Sequence, residues 1–175
     1  DAADEEKIKA LREIYAGTGY PLIFSSAREE KNIEQIKELL KGKTTVIAGP
    51  SGVGKSSIIN LIQPEANMET GSISRKIERG KHTTRHSELF PVGSDAYIMD
   101  TPGFSSLYVN EFEKEELKYY FPEFAKYEGT CKFHGCDHVH EPGCMVKEAV
   151  ETGEIHRIRY ENYIEMYEEL KNKRR

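Results

Sequence analysis

Cysteine is scarce in this sequence and unevenly placed: there are three, all between residues 131 and 144. An odd number packed so tightly argues against a disulfide framework and for metal binding or free thiols. No run of 18 apolar residues occurs, which excludes an apolar membrane-spanning helix. No charged-then-apolar leader is present, and because Asp1 reads as the start of a trimmed chain, that absence has little weight. Positive charge is not in excess either: 25 Lys and Arg stand against 30 Asp and Glu, a net charge of −5 and a pI near 5.8. The class excluded is a generally basic nucleic-acid binder, whereas a local basic patch stays open. Internal repeats and low-complexity stretches are lacking. What is there is a polar chain of 175 residues, 37% hydrophobic and 31% charged, whose apolar residues cluster in short blocks suited to a core. The expectation is a cytoplasmic protein, not bound to a membrane and monomeric by default, with one medium domain and a small appendage.

Ile8, Leu11, Ile14 and Tyr15 recur at helical spacing in residues 4–16, predicting an amphipathic helix ended near Gly17 and Gly19. Residues 21–25 form a short apolar run after turn residues and read as a buried strand. Ile33, Ile36, Leu39 and Leu40 mark a second helix over residues 31–41 that stops at Gly42. Residues 44–48 read as a strand, residues 49–54 as a glycine-rich turn and residues 56–62 as a helix start. Residues 64–87 are polar, basic and threonine-rich without a period, which predicts a long loop. Residues 88–92 and 96–100 read as a hairpin turning at Gly93-Ser94. The alternation through residue 100 predicts an α/β fold with a mostly parallel sheet. After Gly103 the character changes. Residues 113–127 read as helical, residues 129–144 are rich in Cys, His and Gly, and residues 145–174 read as one or two charged helices. Ile155, Ile158, Tyr163, Met166 and Leu170 are their apolar stripe. A boundary near residue 110 gives domains of 1–110 and 111–175.

Gly49-Pro50-Ser51-Gly52-Val53-Gly54-Lys55-Ser56 fits the phosphate-loop pattern G-x-x-x-x-G-K-[ST] at each fixed position, with an apolar strand before it and a helix that continues through Ser57 after it. The spacing has a physical reason. Glycines let backbone N–H groups turn toward phosphates, and the helix that follows points its positive end at them. Lys55 is placed for the β- and γ-phosphates and Ser56 for a Mg²⁺ ion. Asp100-Thr-Pro-Gly103 ends an apolar strand, where a carboxylate can hold that Mg²⁺ through water and the Gly103 amide can meet a γ-phosphate. Alone, D-x-x-G is a weak pattern; downstream of a phosphate loop it is a GTPase signature.

Such an enzyme needs a threonine between the two motifs to complete the Mg²⁺ shell. Gly80-Lys-His-Thr-Thr-Arg-His86 offers Thr83 and Thr84. The residue after Gly103 is Phe104, which cannot orient an attacking water as the glutamine of Ras-like GTPases does. His82 and His86 are then candidates to hold that water.

The base-reading motifs of guanine-specific GTPases, N-K-x-D and S-A-[KL], are not found after Gly103. Phe24-Ser-Ser26-Ala27 precedes the phosphate loop instead, and in that position it suggests circular permutation; read alone, it is an ordinary helix N-cap region. The order Ser26-Ala27, GPSGVGKSS, GKHTTRH, DTPGF and then a Cys/His cluster resembles the RsgA/YjeQ family of circularly permuted, small-ribosomal-subunit-dependent GTPases, over nearly the whole chain. The resemblance implies a P-loop GTPase three-layer fold with a small C-terminal helical zinc-binding domain. It implies GTP and GDP as ligands, the small ribosomal subunit and its 16S rRNA as partners, and late subunit maturation as the task. It also favours Thr84 over Thr83. Family members carry an N-terminal OB-fold and an N-K-x-D loop that are missing here, so the chain is expected to be truncated, with the N-K-x-D strand just before residue 1. Guanine specificity is therefore implied by resemblance alone.

Cys131, Cys136, His138 and Cys144 have the spacing C-x4-C-x-H-x5-C. Three thiolates and an imidazole make a closed tetrahedral zinc site, structural because no position is left open. The same spacing in the family assigns these four as ligands, with His134 and His140 as substitutes or outer groups. Lys132, Lys147, His156, Arg157, Arg159 and the basic end around Lys171 make contact with ribosomal RNA phosphates an expectation, although Glu is equally frequent there.

Two other functions compete. The phosphate loop also resembles that of guanylate kinases, a reading that accounts for neither DTPG nor the zinc pattern. A non-catalytic RNA-binding zinc module would require a vestigial phosphate loop, yet each position needed for Mg²⁺-nucleotide binding is intact.

Overall fold

The computed structural model describes residues 3–50, 52–66, 88–100 and 112–172. In chain order these form helix α1 (Glu5–Tyr15), a 3-10 turn (Ala16–Thr18), α2 (Ile33–Leu40), strand β1 (Thr44–Ile47), α3 (Lys55–Ile62), a 3-10 turn (Pro64–Ala66), β2 (Glu88–Val92) and β3 (Ala96–Asp100). Two 3-10 helices follow (Lys114–Tyr120 and Pro122–Tyr127), then α4 (Met145–Glu151) and α5 (Arg157–Asn172). Among the described residues no helix is long and apolar enough to cross a membrane.

The chain divides into two compact units, Ile23–Leu107 and Ala2–Leu22 with Tyr108–Arg175. The first holds a three-stranded sheet of order β1-β3-β2. β1 runs parallel to β3, with Ile47 opposite Asp100, and β2 returns antiparallel with Phe90 opposite Ile98. Among the described residues the sheet thus has one parallel and one antiparallel pair rather than being mostly parallel, because β2 and β3 are the arms of the predicted hairpin. Side chains alternate by strand pleat. Phe90 and Ile98 point into a core with Ile33, Leu40, Ile59 and Ile62, while Leu89, Tyr97 and Val46 are exposed. Ile33 and Leu40, seven apart, share the buried face of α2, and Ile59 and Ile62 that of α3.

The strand expected at residues 21–25 does not form. Among the described residues the stretch shows no strand pairing; an isolated bridge joins Ser26 to Lys31, and the Phe24 carbonyl accepts from Asn32 Nδ2 at 2.7 Å. An apolar run becomes a strand only beside a neighbour that completes its ladder.

In the second unit α1 begins at Asp4, whose carboxylate accepts from the Lys7 amide at 2.8 Å, an N-cap. The helix predicted over residues 113–127 is two 3-10 helices. Phe121 sits at φ −109°, ψ 88° because Pro122 follows, and a residue before proline is driven out of the helical region. The core gathers Leu117, Phe121, Phe124, Val146, Ala149, Ile155, Tyr163 and Leu170 around Cys136 and Cys144. Ile158, expected in the apolar stripe of α5, is exposed, whereas Tyr167 is buried.

Candidate nucleotide and metal sites

The phosphate loop joins the end of β1 to α3. Gly52 and Gly54 take φ of +81° and +90°, a left-handed backbone that side chains resist, and Gly54 is the N-cap of α3. The first helical bond of this turn runs from the Ile58 amide to the Gly54 carbonyl at 3.0 Å. The amides of Lys55, Ser56 and Ser57 lie ahead of it, at the positive end of the helix. The Lys55 ammonium folds back across the loop and donates to the carbonyls of Gly49 and Pro50 at 2.9 and 2.8 Å. A cation over the mouth of a glycine loop, beside a helix N-terminus, is an anion-binding arrangement.

Asp100 ends β3 in register with Ile47, the last residue of β1. The parallel pairing puts Asp100 at the C-terminal end of the two parallel strands, the end from which the phosphate loop departs. Its Oδ1 is buried and has no hydrogen-bond partner among the described residues. An unsatisfied buried carboxylate oxygen fits a hard divalent cation, which takes oxygen ligands, and Ser56 in the first turn of α3 offers a hydroxyl.

Ser26 is buried in a tight loop. Its amide and carbonyl pair with Lys31 at 3.2 and 2.9 Å, and its Oγ accepts from the Glu29 amide at 3.1 Å. Ser26 and Ala27 are thus held in a self-bonded loop ahead of α2. Ser51, His82, Thr83, Thr84, His86, Gly103 and Phe104 lie outside the described residues.

The second site is the Cys131, Cys136, His138 and Cys144 group, whose ligand atoms all lie within 4.8 Å of one another. His138 Nδ1 stands 3.7 Å from Cys131 Sγ and 3.4 Å from Cys144 Sγ. A tetrahedron with zinc–ligand bonds of about 2.0–2.3 Å has edges of roughly 3.5–3.8 Å, so the donor set fits once its widest separation closes by about 1 Å. His134 and His140 are not in the group. Burial pushes the Cys136 thiol up to about 12 and raises that of Cys144, while it lowers the His138 imidazole. Buried thiols and a neutral imidazole are poor company for water but good ligands, because a bound cation deprotonates a coordinating thiol. The amides of His138 and Met145 donate to the sulfurs of Cys136 and Cys131, each at 3.4 Å. His138 turns Nδ1 toward the sulfurs, so a metal bound there would leave the proton on Nε2; Nε2 is buried without a hydrogen-bond partner among the described residues, and the ring lies edge-to-face with Phe124.

The cluster is gripped from outside by residues that sequence reasoning missed. Tyr160, Tyr163 and Tyr167 lie three and four apart on α5, one face of the helix. Tyr160 donates to the His138 carbonyl at 2.7 Å, Tyr163 to the Asp137 carbonyl, and Tyr167 to Asp137 Oδ2 at 2.9 Å. Lys118, itself buried, donates to the Cys136 carbonyl at 3.1 Å. Glu141 accepts from the amides of Asp137, Val139 and His140 at 2.9, 3.0 and 3.0 Å. Burial alone would raise the Glu141 carboxyl; the backbone amides outweigh it and bring the group to about 2. Tyrosines at helical spacing were the available signal, but a hydrophobic reading treats them as packing alone.

Several of the basic side chains expected to face RNA are paired within the chain. Arg159 bonds Glu123 at 2.7 Å, Arg157 bonds Glu151 at 3.2 Å and Lys171 bonds Glu168 at 3.0 Å.

Fold and sites together define a P-loop protein with a closed Cys₃His knuckle. The chain belongs to the RsgA GTPase family, whose family model matches residues 1–110. It is 54% identical over 175 residues to the small ribosomal subunit biogenesis GTPase RsgA of Agathobacter rectalis, covering 100% of this chain and 58% of that protein. To the protein of the same name from Clostridium perfringens it is 49% identical over 174 residues, 99% of this chain and 60% of the relative. Two solved structures are similar. YjeQ from Thermotoga maritima has a TM-score of 0.78 and 44% identity, covering 96% of this chain and 56% of that one. YloQ, described as a circularly permuted GTPase, has a TM-score of 0.76 and 40% identity, covering 97% and 52%. The chain therefore spans 58–60% of the length of these curated relatives.

Proposed function

We propose that this chain is the GTP-hydrolysing and zinc-binding portion of a factor for small-ribosomal-subunit biogenesis, working in the cytoplasm as a monomer. The observation that carries the reading is that the Lys55 loop and Asp100 both follow from the paired C-terminal ends of β1 and β3, with Asp100 Oδ1 unsatisfied among the described residues. The names of the relatives supply the biological setting. Residues 1–110 are the permuted GTPase part, the span of the family match, and residues 111–175 the zinc part; α1 joins the latter in space.

In this reading the amides of Gly52, Val53, Gly54, Lys55, Ser56 and Ser57 cradle the phosphates together with the rest of the loop, Gly49, Pro50 and Ser51. Lys55 exchanges its two loop carbonyls for β- and γ-phosphate oxygens. Ser56, Asp100 and Thr84 hold Mg²⁺, which when bound neutralises charge on the β- and γ-oxygens. The Gly103 amide meets the γ-phosphate, His82 positions the attacking water in place of the glutamine that Phe104 replaces, and Ser26-Ala27 lies against the base. Cys131, Cys136, His138 and Cys144 hold one zinc ion, for which a set of three sulfurs and one nitrogen is suited, and its role is structural. The partner is the small subunit through its 16S rRNA.

The test is turnover of GTP and of ATP, with and without purified small subunits. It is run on this chain and on this chain completed with the segments of the Agathobacter rectalis relative that the match leaves uncovered. The reading expects GTP hydrolysis stimulated by the small subunit in the completed protein. Equal use of ATP, or no response to the subunit, would overturn it.

A further inference from the structure

Lys118 occupies a core position of the second unit. It follows Leu117, which is wholly buried, on the first of the two 3-10 helices, and its own side chain is 8% exposed. Its Nζ donates to the carbonyl of Cys136 at 3.1 Å and stands 5.3 Å from the centroid of the Tyr119 ring. Glu128 Oε1 lies 4.0 Å away, beyond hydrogen-bond distance, on a side chain 52% exposed. A half-solvated carboxylate at that range compensates little of a buried charge. The metal loop itself carries two further acids. Asp137 Oδ2 accepts from Tyr167, and Glu141 accepts from three amides of the loop. Lys132 on the same loop is exposed, and Lys114, which reaches Tyr167, is paired with Glu115.

Packing alone would place a leucine or methionine at position 118, because burying an ammonium costs far more than burying its stem. One bond to a carbonyl does not offset that cost. The metal site does. Three cysteines bind a divalent cation as thiolates, and with a neutral imidazole they leave the site one net negative charge. That charge is buried, since Cys136, His138 and Cys144 are 5%, 2% and 4% exposed. A buried anion requires a positive charge close by, and so does a buried ammonium. We propose that Lys118 is the counter-charge of the Cys₃His site: held on the Cys136 carbonyl, its ammonium neutralises the one negative charge that three thiolates leave on a divalent cation. Metal and lysine then stabilise each other, and a core lysine with no close carboxylate has its reason. The inference rests on the zinc reading above and deepens it.

The experiment measures zinc retention by chelator competition at pH 7 on this chain and on Lys118→Arg, Lys118→Gln and Lys118→Met. Arginine keeps charge and donors, glutamine keeps a donor without charge, and methionine keeps the stem alone. The Gln and Met variants are expected to hold zinc about tenfold more weakly than the parent, to similar extents, and Arg to recover most of the loss. Iron loading gives a readout that packing would not move. Fe²⁺ leaves the site the same net charge as Zn²⁺ and Fe³⁺ leaves it none, so a nearby ammonium favours the reduced form. The Gln and Met variants should lower the Fe³⁺/Fe²⁺ midpoint, by about 59 mV if the charge is worth tenfold. Zinc retained by Lys118→Gln as well as by the parent, or midpoints unchanged in both variants, would overturn the proposal and leave Lys118 a donor to one carbonyl. A parent chain that binds no zinc would instead sink the metal reading beneath it.

Discussion

Tyr163 donates its hydroxyl to the carbonyl of Asp137, the residue just before the histidine of the Cys₃His group. The ring of Tyr163 is wholly buried, packed edge-on against Phe121 and Phe124 at 5.1 and 4.9 Å. One side chain thus fills the core of the second unit with its ring and fixes the metal loop with its oxygen. Burial raises the pKa of this phenol well above its ordinary value, so it stays a donor at any working pH. Tyr163→Phe keeps the ring and strands the Asp137 carbonyl. A loss of about 1–3 kcal/mol is expected in chemical unfolding of the second unit, with weaker metal retention. Unchanged metal retention would mean the loop is held by its own bonds.

Metal removal should unfold more than the loop. Cys136 and Cys144 are members of the same buried cluster as Phe124, Val146 and Tyr163. Binding free energy at such a knuckle is folding free energy. The chain is expected to bind one zinc ion, and chelation should abolish the near-ultraviolet circular dichroism of the buried tyrosines and expose dye-binding apolar surface. Persistence of the tyrosine signal after complete zinc loss would show that the core stands without metal.

Much of this was legible in the sequence where one local rule decided the outcome. The phosphate loop follows from glycine and lysine spacing, the hairpin from Gly93-Ser94, and the gathering of Cys131, Cys136, His138 and Cys144 from cysteine and histidine spacing. What local rules do not carry is the neighbour. Residues 21–25 have strand composition, yet the Phe24 carbonyl bonds to Asn32. α1 has an amphipathic pattern that says nothing of what it meets, and it meets α5, with Tyr15 against Arg159. Residues 113–127 are helical as their pattern implies, but Pro122 divides them at Phe121 into two 3-10 helices. Ile158 and Tyr167 exchange places relative to a hydrophobicity ranking because the buried face of α5 is also a hydrogen-bonding face.

Glu141 gives a pH dependence with a definite sign. Its carboxyl is depressed from an ordinary 4.5 to about 2 in the folded chain, against burial, by the backbone amides it accepts from. A depressed acid contributes stability that is complete above its unfolded value and is lost as pH falls through its folded value. Glu141→Gln should therefore weaken metal retention by a constant factor from pH 7 down to about 5, measured by chelator competition. Below 4.5 the gap between variant and parent should narrow toward pH 2. A gap already closing near neutral pH would point to another group.

In the proposed nucleotide site Lys55 and Asp100 are expected to make separable contributions. Lys55 now satisfies the Gly49 and Pro50 carbonyls, bonds that water can replace, so Lys55→Ala should leave the fold intact. A charged hydrogen bond to phosphate is worth about 1.5–3 kcal/mol, so the variant should bind GTP about 10- to 100-fold more weakly, with or without magnesium. Asp100→Asn keeps the side-chain shape but removes the anion whose Oδ1 lacks a partner among the described residues. That variant should keep its magnesium-independent GTP affinity, read by a fluorescent nucleotide in chelator, and require far more magnesium for turnover. If both variants instead lost affinity equally in chelator, the Asp100 carboxylate would be supporting the loop rather than a cation, and the division of roles between Lys55 and Asp100 would be wrong.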